Sequence, residues 1–457
     1  MSEFSPKFNR RKFLRDTLAL GGGYFLFQQT LSRLAFSQLG LSQTEKTAAV
    51  PESLYGPLSP VAAANTGEVL LSLPSGFQYN VFGKTGVTMS DSRPTPKAHD
   101  GMGVFDGIPD HWTIVRNHEI MDFAGSPGTV SDSRPYDPLA GGGTTNLLIN
   151  KASRLLVGDF VTLSGTVRNC SGGMTPWGTW ITCEETTAGK LAGFSKPHGY
   201  CFEVGVNVIS SPPPMPLKQM GRFRHEGAAV DRKTGIVYLT EDNPAANSGF
   251  YRYIPSNHGR LIQGGKLQIL KIRGNPNYDT RTNQTVGNTL LVDWVDIPDS
   301  DPTTAETNPA AVFDQGWNAG AAAFARLEGC YAEFDRIIFI STTGGNAGIG
   351  QVWEYHDRKG NSGRLKMLYE SPSAAALNVP DNVCFGPKGN IFMTEDNGLD
   401  VHIRVLSPNG AVSNLAQNIM PEFTSFEFTG CCFNPGRSVL FVNLQTPGLT
   451  FVIWGPW

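Results

Sequence analysis

Acidic residues recur in this chain at two kinds of place: in a short turn that opens a strand, and at the end of the strand that follows. The openers are His99-Asp100-Gly101, Cys170-Ser171-Gly172-Gly173, His225-Glu226-Gly227, Leu327-Glu328-Gly329, Pro380-Asp381-Asn382 and Phe428-Thr429-Gly430. The answering strands run through 112–119, 179–185, 236–242, 336–343, 390–396 and 438–445. Glu119, Glu184, Glu185, Glu241, Asp242, Glu395 and Asp396 end such strands. Cys170 stands where other openers carry Asp or Glu.

So many carboxylates cannot share a partly buried rim unpaired, because like charges repel and desolvation is costly. Few basic residues are at hand, the nearest being Arg116, Arg224 and Arg326. Bound cations are therefore the favoured reading. Carboxylate and amide oxygens suit Ca²⁺, whereas a thiolate at Cys170 asks for a transition metal. The competing reading is ordinary turn chemistry, since Glu-Asp before Asn or Gly also ends strands for structural reasons. His118 and His225 each sit beside a carboxylate and serve as ligands or as loop anchors. Arg326, two residues before Glu328, extends to the same side of an extended segment. It reads as a bidentate phosphate or carboxylate clamp, or as a salt bridge to a neighbouring acid. No Gly-x-Ser-x-Gly elbow and no His-Glu-x-x-His helix occurs, which argues against serine esterase and zincin chemistry.

A unit repeated six times in short strands predicts an all-β, six-bladed β-propeller, which gathers the same corner of every blade around one axis. Residues 235–243 and 389–397 form the clearest internal pair, each starting at Gly and ending Thr-Glu-Asp-Asn. Blades are expected near 97–157, 158–212, 219–272, 326–369, 380–418 and 426–457, with a loop and helix insertion at about 273–325. The strand near Phe77–Phe82 is placed to close the ring on the last blade. With 52 Gly, 31 Pro and 17% charged residues, the composition suits many turns and points to neither nucleic acid nor an anionic membrane. No stretch of about 20 apolar residues spans a membrane.

Residues 1–45 read as a separate export peptide and linker, and 46–457 as the propeller domain. Asn9-Arg10-Arg11-Lys12-Phe13-Leu14-Arg15 followed by a short apolar stretch resembles a twin-arginine signal, which implies the twin-arginine export machinery as a partner. The seven cysteines cannot all pair, and their spacing shows no disulfide framework.

Arg116-Asn117-His118-Glu119, Asn169-Cys170-Ser171-Gly172-Gly173, Thr175-Pro176-Trp177-Gly178-Thr179-Trp180 running on to Cys183-Glu184-Glu185, Arg224-His225-Glu226-Gly227 and Arg326-Leu327-Glu328-Gly329 together resemble the PhoX-type bacterial alkaline phosphatases. The resemblance implies a six-bladed propeller with a cluster of Fe³⁺ and Ca²⁺ at its mouth, hydrolysing phosphate monoesters in the periplasm or at the cell surface. It implies Cys170 as iron thiolate, with Glu226 and Glu328 as catalytic carboxylates bridging iron and calcium. Glu119, Glu184, Glu185, Glu241 and Asp242 match acidic motif positions and are expected around calcium. Arg326 matches a phosphate-contacting arginine, and Asn117 is expected at the substrate. The chain carries Arg-Leu-Glu-Gly where the family pattern has Pro between Arg and Glu. The alternatives are a calcium-dependent propeller lactonase or phosphotriesterase, and a non-enzymatic periplasmic propeller.

Overall fold

The computed structural model describes residues 54–206, 213–358 and 361–457. The twin-arginine segment lies outside them. Apart from one α-helix, Ala311–Asn318, and short 3-10 turns, the described elements are β-strands.

Six antiparallel units form the ring. Blade one is His99–Ile108, His111–His118, Gly142–Asn150 and Leu156–Thr166, so its last strand runs beyond the boundary expected near 157. Blade two is Asn169–Met174, Thr179–Glu184 and Cys201–Gly205, with three strands where the others have four. Blade three is His225–Val230, Val237–Glu241, Phe250–Pro255 and Gly265–Ile272, and blade four is Leu327–Glu333, Arg336–Ser341, Gln351–Arg358 and Ser362–Glu370. Blade five is Pro380–Phe385, Ile391–Glu395, His402–Leu406 and Val412–Asn418, extended outward by Val69–Pro74 and Leu58–Ala62. Blade six is Phe428–Phe433, Val439–Leu444 and Leu449–Trp454, completed by the N-terminal strand Gln78–Phe82. Phe451 pairs with Val81, so the two ends of the propeller share one sheet.

The segment between blades three and four does more than cover a face. Its strand Thr289–Asp296 pairs with Gly265–Ile272 on one side and with Ser362–Glu370 on the other. It thus stitches the outer edges of two blades into one nine-stranded sheet. The core lies between blades, where apolar residues of adjacent sheets interdigitate; Phe250 stacks on Phe339 with ring centroids 4.2 Å apart.

The glycine of the recurring opener has a packing reason. A Cβ on Gly329 would sit 2.8 Å from the Asp381 carbonyl oxygen, and one on Gly227 would sit 2.9 Å from the Cys330 nitrogen. On Gly101 it would stand 2.6 Å from the Ser171 Cα, and on Gly430 2.4 Å from the Asp100 oxygen. The inner strands therefore approach until backbone nearly touches backbone, which only Gly permits. Hydrogen bonds lock the seams: Thr240 Oγ1 donates to the Glu328 carbonyl at 2.6 Å, and Asn443 Nδ2 donates to the Asp100 carbonyl at 2.7 Å.

Gly329 has no left-handed backbone to defend, so a methyl group there acts through steric overlap alone. Gly329→Ala is expected to cost about 1–3 kcal/mol, read as a lower urea midpoint with an unchanged slope. An unchanged midpoint would show that the seam between blades four and five is looser than described.

Candidate metal and phosphate site

One backbone irregularity recurs in all six blades. The inner strand pairs normally at its first residue, or in blade six at its first two, and then carries one extra residue before pairing resumes. In blades one to five the β-bulge turns the second residue out of the ladder at the axial rim, whereas in blade six the second residue, Thr429, still pairs with Asn443. Those second residues are Asp100, Cys170, Glu226, Glu328, Asp381 and Thr429.

A second column follows from the neighbouring strand. The residue just beyond its pairing partner is Glu119, Glu185, Asp242, Thr342, Asp396 or Gln445. In every blade that residue donates its N–H, at 2.9 to 3.2 Å, to the carbonyl two positions before the bulge. The carbonyl owners make the third column: Ala98, Arg168, Arg224, Arg326, Val379 and Glu427. Six copies of one local fold thus bring three columns of side chains to one mouth, with nine carboxylates, one thiol and three guanidiniums.

The acids and the thiol meet in three overlapping trios. Asp100, Glu119 and Cys170 form one; Cys170, Glu185 and Glu226 the next; Glu226, Glu328 and Asp381 the third. Within each, candidate ligand atoms lie within 4.8 Å of one another. Asp100, Cys170, Glu185, Glu226 and Glu328 are buried, while Glu119 and Asp381 are partly exposed.

Burial, then the fields of Glu328 and Asp381, pushes the Glu226 carboxyl well above the usual range. Burial, then Asp242, does the same to Glu328 although Arg326 opposes it. Asp100 is driven up by burial and Glu119, and the Cys170 thiol by burial with Glu119 and Glu226. Asp100, Glu226 and Asp381 form no ion pair with a basic side chain among the described residues. The donor set, several hard oxygens and one sulfur in shared trios, fits a centre of more than one multivalent cation. Cys170, Glu226 and Asp100 would hold such ions, with Glu119, Glu185, Glu328 and Asp381 around them.

The arginines occupy one half of the ring. Arg168 Nε donates to Glu119 Oε1 at 2.7 Å, and its Nη2 stands 2.9 Å from Glu185 Oε2. Arg224 pairs with the other oxygen of Glu185 and donates through Nε to the Asp242 carbonyl at 2.8 Å. Arg326 forks onto Asp242 at 3.0 and 2.7 Å and reaches Glu328 Oε1 at 2.8 Å. Burial alone would raise the Asp242 carboxyl, but Arg326 beside it holds it below the usual range. Blades two, three and four carry these guanidiniums; blades five, six and one carry Val379, Glu427 and Ala98 instead.

Some expected site residues sit elsewhere, and the structure corrects their assignment. Glu184 faces a loop: it accepts from the Val167, Gly199 and Tyr200 amides and pairs with His198 Nδ1 at 2.7 Å. Glu241 accepts from the Gly249 amide at 2.9 Å and from Tyr251 Oη at 2.7 Å; burial lifts its carboxyl to about 8. Strand alternation turns both away from the trios, so they pin loops. Asn117 is fully buried: its Nδ2 donates to the Cys170 and Ser171 carbonyls at 2.8 Å, and its Oδ1 accepts from Trp180 Nε1 at 2.9 Å. It fixes the Cys170 backbone and has no amide atom left for a substrate. His118 and His225 are buried and bonded to carbonyls at 2.8 and 2.9 Å.

Glu427 escaped the sequence reading, as did the kinship of Arg168 and Arg224 with Arg326. Burial, then Asp396 and Asp381, pushes the Glu427 carboxyl well up. Counting back from the six openers would have set all three in one column.

A propeller whose mouth joins guanidiniums to a cation-collecting acid cluster defines a metal-dependent enzyme for anionic substrates. The sequence matches the family described as Alkaline phosphatase PhoX over residues 54–448, and the chain belongs to that family of metal-dependent phosphatases. Among solved structures, Pseudomonas fluorescens PhoX in complex with vanadate, a transition state analogue, aligns with 89% of this chain and 98% of its own at 14% identity and TM-score 0.64. A gluconolactonase from Xanthomonas campestris aligns with 90% and 98% at 11% identity, but its TM-score of 0.43 is too low to bear on function. No curated protein matches the sequence.

Each raised carboxyl prefers its proton in the folded state, so in the cation-free protein it stabilises below the ordinary carboxyl range and loses that contribution as pH rises. Chelator-stripped protein should therefore melt at progressively lower temperature from about pH 5 to about pH 8. Added Ca²⁺ should restore far more at the upper end, as followed by thermal scans. A flat profile would mean that the acids do not crowd one another.

Proposed function

We propose that this phosphatase hydrolyses small phosphate monoesters at a mixed iron and calcium centre seated in the three trios. The observation behind this reading is the pair of shared ligands, Cys170 and Glu226, that links the three trios beside Arg168, Arg224 and Arg326. A thiol beside carboxylates favours iron at Cys170, and the all-oxygen trio of Glu226, Glu328 and Asp381 favours calcium. Bound there, such cations would supply charge neutralisation on phosphoryl oxygens and lower the pKa of water.

The side chains of this chain do the rest. Arg326, held by Asp242 and Glu328 through Nε and Nη2, leaves Nη1 to donate to a phosphoryl group without needing to be ordered first. Arg224 and Arg168, tethered to Glu185 and Glu119, extend the same positive arc. The phosphoryl group therefore sits over blades two to four, with its ester oxygen directed to the mouth. Asn117 and Trp180 keep the Cys170 backbone fixed beneath it.

The Asn9–Arg15 segment supports export by the twin-arginine route, which carries folded proteins, and hence work in the periplasm or at the cell surface. No helix of the described residues is long and apolar enough to cross a membrane.

Elemental analysis of protein purified without added metal should find iron and calcium. Cys170→Ser should lose the iron and the turnover of p-nitrophenyl phosphate while keeping its circular dichroism. Glu226→Gln and Glu328→Gln should each lower kcat by at least about 100-fold. Wild-type turnover in these variants would sink the assignment.

Arg224→Ala separates anion binding from metal loading. Inhibition by inorganic phosphate should weaken about tenfold, the loss of a charge-assisted contact, with metal content unchanged. Unaltered inhibition would confine the phosphate to Arg326.

A further inference from the structure

We infer that Cys183 and Cys201 are a disulfide-forming pair that staples the outer strand of blade two after export. The two residues lie directly opposite each other on antiparallel strands Thr179–Glu184 and Cys201–Gly205. Their sulfurs are 3.6 Å apart, and both side chains are fully buried. The next pair along, Glu184 with Tyr200, is joined by an amide-to-carbonyl bond at 3.1 Å. Hydrogen-bonded and non-hydrogen-bonded pairs alternate in an antiparallel ladder, so Cys183 and Cys201 fall at a non-hydrogen-bonded pair. There the Cα atoms approach to about 4.5 Å, within disulfide reach.

Place gives the bond a purpose. Blade two has three strands, and Cys201–Gly205 is the outermost, backed by a bridge from Phe202 to Pro216 and by the Leu217 amide on the Cys201 carbonyl. That strand begins just after the Gly199 and Tyr200 amides that grip Glu184, and Glu185 of the metal mouth follows next in sequence. A bond from Cys201 to Cys183 would hold edge strand, loop and mouth together where the sheet is thinnest. Fraying of the edge strand is the route by which an oxidant reaches the two sulfurs. The inference relies on the export reading for an oxidising compartment and not on the phosphatase assignment.

The reaction is thiol–disulfide exchange. A disulfide of the oxidant class R–S–S–R, such as oxidised glutathione or an oxidoreductase, takes two electrons from the Cys183 and Cys201 thiols. One S–S bond forms in the protein and one breaks in the oxidant. The two protein protons leave with the two R–SH products.

The test uses full-length protein taken from the periplasm, acid-quenched, denatured with chelator and alkylated, with peptides mapped by mass spectrometry. The expected result is five alkylated cysteines of the seven, with Cys183 and Cys201 joined in one linked peptide. Reduction should free both thiols and lower the apparent Tm by about 3 °C or more, a shift absent from Cys201→Val, which keeps the apolar volume. Protein made reduced in the cytoplasm should gain the bond on incubation with oxidised glutathione at low denaturant. Seven alkylated thiols after both treatments would overturn the proposal. So would a bond mapped instead to Cys384 and Cys431, whose thiols neighbour each other across the seam between blades five and six.

Discussion

Mutual repulsion among carboxylates at one rim is the constraint that shapes the mouth. Nine acids converge where three guanidiniums are available, and several of the acids are buried. Leaving them charged and uncompensated would cost more than the fold can spare. The protein divides the problem in space. Toward blades two to four the acids are matched by arginines, as in the forked contact of Arg326 with Asp242. Glu226 in blade three, with Asp100 and Asp381, forms no ion pair with a basic side chain among the described residues, and this charge is left for multivalent cations. Anion-receiving guanidiniums and cation-collecting acids are thus interleaved around one opening, as a phosphate ester touching both would require.

The arrangement is possible because the backbone repeats more faithfully than the side chains. In each blade a one-residue bulge aims a side chain at the axis, and an amide from the neighbouring strand ties the approach segment down. With geometry fixed six times, chemistry varies by substitution in three columns: sulfur at Cys170, hydroxyl at Thr429, carboxylates between. Glycine next to the bulge lets adjacent strands close until the columns are near enough to share ions.

Much of this was readable before any coordinates. The openers and answering strands located all six inner pairs, because strand alternation and the Gly requirement leave local marks. Cys170, Glu226 and Glu328 stood out for the same reason. What stayed hidden was direction. Glu184 and Glu185 are adjacent, yet one grips the amides of Gly199 and Tyr200 while the other faces the axis. Only the pairing register decides which, and a one-residue slip reverses the answer. Glu427 was missed because its opener reads Phe-Thr-Gly and hides an acid two residues upstream. Asn117 was expected at the substrate, but its amide groups are consumed by a neighbouring blade that sequence distance does not reveal.

The strand Gln78–Phe82 closes the circle only when Leu449–Trp454 is present to receive it. Gln445 Nε2 then meets Glu119 Oε2 at 2.7 Å across that final join. Until those two strands pair, the propeller is an open arc, with blade one's acids parted from blade six's. Completion of the mouth therefore waits on contact between two distant strands, and a site shared by blades one and six exists only in the closed ring.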